Sequence, residues 1–173
     1  AMKPDFCLMG EVIHGEYNRW VNPEMLHSVT NYELHKALYS GHNDHNYFEI
    51  AHNVRRLEAV GKSLYTFVDN HDEDRIASKL NHLANLFPVY QLLFTLPGIP
   101  SIYYGSEWGI EGKRSRTSDE VLRPALTLSG MAGKAPELIS HIAALGKIHA
   151  EHDAFHSGSY KELLLTNRQY AFS

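Results

Sequence analysis

The chain has 173 residues, 43% of them hydrophobic and 11% aromatic, which is enough to bury the core of one domain. Net charge is −4, from 16 Lys+Arg against 20 Asp+Glu, and no basic run exceeds the pair Arg55-Arg56, so the electrostatic footprint of a nucleic-acid binder is missing. No apolar stretch approaches the roughly 20 residues that cross a bilayer, and a single cysteine, Cys7, leaves no partner for an internal disulfide.

In chain order, the start "AMKPDF" has an Ala before Met2 that reads as a cloning remnant. The first strand is predicted at "DFCLMGEV" (5–12), with Cys7 as a small buried hydrophobe, in keeping with a reducing compartment; localisation stays open, with a lean to the cytoplasm. "LHSVTNYEL" (26–34) is a weaker strand, rich in β-branched and aromatic residues. "NYFEIAHNVRRLEAVG" predicts a helix with Phe48, Ala51, Leu57 and Val60 inward and a stop at Gly61. "KSLYTFVDN" (62–70) is a clear strand. The stretch 72–98 reads as one long helix or two, with Pro88 marking the kink or break. "IPSIYYGSE" (99–107) is a fourth strand, "APELISHIAALGKIHAEH" a helix with Leu138, Ile142, Leu145 and Ile148 on one face, and the last residues a hairpin.

Strands alternating with helices predict βαβ units and a parallel sheet. Four such units make half of an eight-fold barrel, which needs about 250 residues, so the chain reads as truncated at both ends. In parallel α/β folds chemistry collects at the C-terminal ends of strands. Here those ends carry Glu11 and His14, then Asn70-His71-Asp72, then Glu107.

Glu11 on the lip of an apolar strand fits a general acid, against the commoner case of a glutamate pairing with Arg19 or capping a loop. His71 and Asp72 would face opposite ways on a regular strand, so both reach one ligand only if "NHDED" is already a turn. Asp72 would then accept from vicinal hydroxyls; the competing reading makes it the N-cap of the next helix. The spaced pairs His42/His45 and His149/His152 lack the H-E-x-x-H signature and read as solvated positions, so no metal ligands are assigned. Neither a phosphate-cradling glycine loop nor a nucleophile elbow occurs. Of the aromatics near strand ends (Trp20, Tyr103, Tyr104, Trp108), Tyr104 is the best placed to stack on a sugar, against the commoner fate of core packing.

Several stretches resemble one family in the right order. "FVDNHD" resembles the F-x-x-N-H-D motif on the seventh barrel strand of the alpha-amylase family of glycoside hydrolases, and "LMGEVIH" its fifth-strand motif. "MLHSVTNYEL" is similar to the sixth strand of the neopullulanase and cyclomaltodextrinase branch, and "LPGIPSIYYGSEWGIEG" to the eighth strand and its loop. "GKIHAEHDAFHSGSYKELLL" resembles the last barrel helix running into a β-sandwich domain. The resemblance implies the C-terminal half (strands five to eight) of a TIM (β/α)8 barrel over residues 1–156 and the start of an all-β C-terminal domain over 157–173.

It implies Glu11 as proton donor and Asp72 as the carboxylate that grips ring hydroxyls, with Glu11 and Asp72 on neighbouring strands facing one mouth. His71 is implied at the same ring, Asn70 as support for the turn and Arg75 as structural or lining the site; with Tyr104 from its place at a strand end, these are the candidate binding residues for the substrate, an α-glucan or maltooligosaccharide. No cofactor is assigned; the resemblance leaves room for calcium in the full-length enzyme. The family's nucleophile, an Asp in a G-x-R-x-D motif on the fourth strand, has no counterpart here, and Asp5 is not promoted to that role. Ile13 stands where the neopullulanase branch often has Trp. The chain alone is therefore expected to be inactive, and to self-associate through exposed half-barrel edges. The rival reading is a non-catalytic carbohydrate-binding or regulatory remnant of the same fold.

Overall fold

Hydrogen bonding between short parallel strands sets the frame of the chain, described over residues 6–173 in a computed structural model. β1 (Met9–Gly10) pairs with β2 (Ser28–Val29), which leads into helices α1 (Tyr32–Asn43) and α2 (Tyr47–Arg56). β3 (Tyr65–Phe67) follows, then α3 (Ile76–Lys79), α4 (Leu86–Thr95) and β4 (Ile99–Ser101), which pairs in parallel with β3. A parallel bridge between Thr30 and Tyr65, backed by the Asn31 amide donating to the Tyr65 carbonyl at 2.8 Å, joins the two pairs. The strands thus run in chain order, all parallel. α5 (Leu128–Met131), the long α6 (Pro136–Glu151) and the antiparallel hairpin β5 (Glu162–Leu165) and β6 (Tyr170–Phe172) complete the chain.

The core lies among the helices and the strand ends they cover. Leu34 and Leu38 of α1, Ile50 and Val54 of α2, Val89, Tyr90 and Leu93 of α4, and Ile142 and Leu145 of α6 are buried together with Val68. Tyr160, just ahead of β5, and Tyr170 and Phe172 of β6 pack against the same cluster, so the hairpin shares this apolar interior.

Several expectations change. Asp5 and the start of the first predicted strand lie outside the described residues; regular pairing begins at Met9, and Cys7 ahead of it is exposed rather than buried. The predicted strand 26–34 ends early: Asn31 accepts from the Leu34 amide at 2.9 Å and caps a helix that starts at Tyr32. On α2 Ala51, and Leu57 just after it, are buried as expected and Ile50 and Val54 join them, while Phe48 is exposed, and on α6 Ile148 is exposed. Pro88 does not break its helix. It sits in the first turn of α4, where its missing N–H has no intrahelical partner to lose. The break falls earlier, at Leu80 and His82, which are extended.

The entry into β4 depends on one glycine. Gly98 has φ +156°, and an added Cβ would overlap the Thr66 side chain and lie 3.3 Å from the Leu64 carbonyl. Gly98→Ala is expected to destabilise the chain by about 1–3 kcal/mol, the usual cost of overpacking, measured as a lower urea midpoint with an unchanged m-value.

Candidate active site

Glu11 directly follows β1, and its backbone is held on both sides by Thr30, the residue just past β2. The Thr30 amide donates to the Gly10 carbonyl at 3.1 Å, and the Val12 amide donates to Thr30 Oγ1 at 2.9 Å. The side chain has a defined partner: Tyr32 Oη donates to Glu11 Oε1 at 2.7 Å. Among the described residues Glu11 forms no ion pair, so the expected alternative with Arg19 is not what holds it.

Asn70, past the end of β3, donates from Nδ2 to the same Tyr32 hydroxyl at 2.9 Å. Its Oδ1 accepts from the amides of Asp72 and Glu73, each at 2.9 Å. That local turn is what swings two adjacent side chains to one side, and His71 Nε2 lies 3.3 Å from Asp72 Oδ2. Asp72 does not cap a helix, since the residue ahead of α3 is Arg75. Instead Asp72 Oδ1 accepts from Arg123 Nη2 at 2.7 Å, while Arg123 Nε donates to the His71 carbonyl at 3.2 Å. Glu11 and Asp72 do not stand on neighbouring strands. β2 lies between them, and Tyr32 bridges the gap.

A buried layer supports the turn. Asp69 is 1% exposed and accepts from the Ile76 amide at 2.7 Å and from Ser106 Oγ at 2.9 and 2.8 Å. Burial pushes its carboxyl above the ordinary range, opposed by those hydrogen bonds and by the nearby Arg75 charge. Arg75 is fully buried: its guanidinium donates to the Tyr104 carbonyl at 2.6 Å, Ser106 Oγ at 3.0 Å and the Leu122 carbonyl at 2.7 Å. It also stacks 4.3 Å from the centre of the Tyr103 ring. With no exposed surface, Arg75 is placed under the site and not in its lining, so of its two expected roles the structure favours the structural one over a substrate contact. Tyr104 remains 43% exposed, its hydroxyl donating to the Pro124 carbonyl at 2.9 Å.

Beside the turn, Glu73 Oε2 lies 2.5 Å from Lys79 Nζ and 3.6 Å from His35 Nε2. The His35 ring and the Lys79 ammonium hold the Glu73 carboxyl down at about 2, against partial burial. His35 itself stacks on Phe67 of β3 at 5.1 Å, so this ionic cluster is fastened to the strand that presents the turn. No group of three or more His, Cys, Asp or Glu suited to a metal ion occurs among the described residues. Two clefts of about 390 and 590 Å³ share Lys62, Pro97 and Tyr160, and neither is lined by Glu11 or Asp72.

The family model for the alpha-amylase catalytic domain matches residues 1–145. The chain belongs to the alpha-amylase family. It is 29% identical over 122 residues to a cyclomaltodextrinase of Thermoanaerobacter pseudethanolicus, covering 65% of this chain and 21% of that protein. It is 32% identical over 130 residues to alpha-amylase 3 of Dictyoglomus thermophilum, covering 71% and 26%. The alpha-amylase of Malbranchea cinnamomea superposes with a TM-score of 0.79 at 27% identity, over 95% of this chain and 36% of that one. The chain therefore spans about a fifth to a quarter of these two curated relatives.

Within this alpha-amylase chain, sequence reading missed Tyr32, Asp69, Ser106 and Arg123. Tyr32 lay inside a stretch assigned to a strand; Asp69 and Ser106 are 37 residues apart, and Arg123 lies 51 from its carboxylate partner. Only the "FVDNHD" stretch itself offered a local signal, in Asp69.

The Glu73 carboxyl titrates at 4.5 when unperturbed and at about 2 when folded, so between these values the unfolded chain binds more protons. Its contribution is complete above pH 4.5 and fades as pH falls through 2. Glu73→Gln is expected to lower the urea midpoint at pH 6, and to differ progressively less from wild type on the way down to pH 2. A gap that stays constant with pH would remove Glu73 from acid unfolding.

Proposed function

We propose that these residues are strands five to eight of a (β/α)8 barrel, with the first hairpin of a following β-domain from about residue 157. The whole enzyme is a retaining hydrolase or transglycosylase of α-glucosidic bonds in starch- or maltodextrin-like substrates. The observation that carries this reading is the unbroken hydrogen-bond path from Glu11 through Tyr32 and Asn70 to the turn bearing His71 and Asp72. It brings a proton donor and a hydroxyl-gripping carboxylate to the same end of the parallel strands.

In this reading Glu11 protonates the glycosidic oxygen as the bond to the anomeric carbon breaks. Asp72 accepts from two adjacent ring hydroxyls, His71 donates to the same ring, and the exposed face of Tyr104 receives the sugar. Asn70 shapes the turn and Arg75 supports it from below. Retention needs a second carboxyl about 5–5.5 Å from the acid, which in this family sits in a motif that the sequence lacks. The chain alone is therefore expected to give no turnover of a chromogenic maltoside. Hydrolysis by the purified chain that disappears in Glu11→Gln would overturn this. In an enzyme completed with the missing strands, Glu11→Gln should lower kcat by about 10²–10⁴-fold. An undiminished kcat there, with sugar still bound, would favour the non-catalytic binding reading.

The short strands β1 and β4 leave Met9 and Ile99 about half exposed, and Ile13 beyond β1 is 62% exposed. Apolar side chains on unpartnered parallel edges favour association. Light scattering is expected to give a mass above the 19.7 kDa monomer at micromolar concentration. A sharp monomer peak across that range would refute self-association.

A further inference from the structure

The hydroxyl of Tyr32 is constrained from both sides. Asn70 Oδ1 already accepts two backbone amides, so its carboxamide cannot be turned round, and the group facing Tyr32 is the donor Nδ2. Tyr32 Oη must therefore accept from Asn70, and its single hydrogen is left for Glu11 Oε1 at 2.7 Å. Tyr32 is buried and its ring packs edge-on to Phe67 at 4.9 Å, which holds the hydroxyl oxygen between Glu11 and Asn70. Burial, then the hydrogen bond to Glu11, pushes the phenol up to about 12, which keeps it a donor throughout the neutral range. Were Glu11 protonated on Oε1, two hydrogens would meet in one contact and the Tyr32 hydrogen would lose its acceptor. Among the described residues Glu11 Oε2 has no hydrogen bond.

We propose that Tyr32 is a positioning residue that reserves Oε1 of Glu11 as a permanent acceptor, so that Oε2 is the oxygen carrying the proton delivered to the glycosidic bond. This rests on the reading of Glu11 as the acid. In the transfer the Oε2–H bond breaks and the proton bonds to the bridging oxygen. That oxygen keeps the electron pair of its broken bond to the anomeric carbon, which is taken by the carboxylate nucleophile of the completed barrel. Glu11 ends as a carboxylate still accepting from Tyr32 on Oε1, ready to remove a proton from water through Oε2. The same contact ties the acid to the turn that holds Asp72, so the two groups move as one unit.

The test is carbon-detected NMR of the full chain with glutamate labelled at the carboxyl carbon, Glu11 being assigned by its loss in Glu11→Gln. In Tyr32→Phe the ring and its packing remain while the donor is removed. The Glu11 carboxyl resonance is expected to be displaced from its wild-type position at neutral pH, together with the Asn70 side-chain amide signals. Asn70→Asp keeps Tyr32 but gives its hydroxyl a competing acceptor, and should move the Glu11 resonance in the same direction. From the other side, Glu11→Gln should bring the Tyr32 titration down from about 12, read at a labelled phenol carbon. A Glu11 resonance unmoved in folded Tyr32→Phe and in Asn70→Asp would overturn the positioning role while leaving Glu11 as acid untouched. If the resonance moves but Glu11→Gln leaves kcat of the completed enzyme unchanged, the reading of Glu11 fails, and the assignment of Oε2 fails with it.

Discussion

The side chain of Asn70 commits every polar atom it has, and the site is built outward from that. Its oxygen accepts two consecutive backbone amides and closes the turn; its nitrogen donates to Tyr32 and through it reaches Glu11. An aspartate could make the turn but has no hydrogen for Tyr32, and a glutamine would reach too far to close a two-residue loop on its own backbone. One carboxamide thus sets both the direction of His71 and Asp72 and their distance from a carboxylate two strands away. Thr30 does the matching work on the other side, fixing the backbone around Glu11 from just past β2.

Below this layer lies an arrangement that would be costly if incomplete. A fully buried guanidinium next to a buried carboxyl is tolerated when most of its donors find acceptors; the two terminal nitrogens of Arg75 find three, from residues 104, 106 and 122, while Nε is buried with no partner among the described residues. Ser106 stands between the charges, accepting from Arg75 and donating to Asp69, so the two ions are joined through a neutral hydroxyl. The outcome is a rigid floor made of β3, the start of α3 and the loop after β4. Gly112 belongs to it as well: its carbonyl accepts the Arg75 amide at 2.9 Å, and a Cβ there would strike the Val121 carbonyl at 2.7 Å.

What could be read from the chain was what lies close together along it. "FVDNHD" put the turn residues side by side, and the apolar run before them is buried at Leu64, Phe67 and Val68. The parallel order followed from strands alternating with helices. Hidden were contacts made across the fold: Tyr32 to Glu11 and Asn70, Ser106 to Asp69, Arg123 to Asp72. Tyr32 was missed for a further reason. Val29, Thr30 and Tyr32 have the residue types of a strand, yet Leu34, Ala37, Leu38 and Gly41 follow at helical spacing, and the cap at Asn31 decides between the two. Arg75 was misplaced because a charged residue beside a site is expected at its surface, and burial cannot be read from neighbours in the sequence.

Arg123 raises the question of whether Asp72 has anything left for a sugar. An ionised carboxylate offers about four acceptor directions on its two oxygens. Arg123 uses one on Oδ1, and His71 stands 3.3 Å from Oδ2. Both oxygens keep a free direction and the side chain is 39% exposed, so the proposed grip on a pair of adjacent hydroxyls requires neither partner to be displaced. Arg123 is in turn held by Asp119 at 3.8 Å, on the loop after β4. The guanidinium therefore orients Asp72 instead of masking it, and it makes that loop part of the site. The loop after β4 is thereby closed onto the turn after β3, and Tyr104 is tied to the same loop at Pro124.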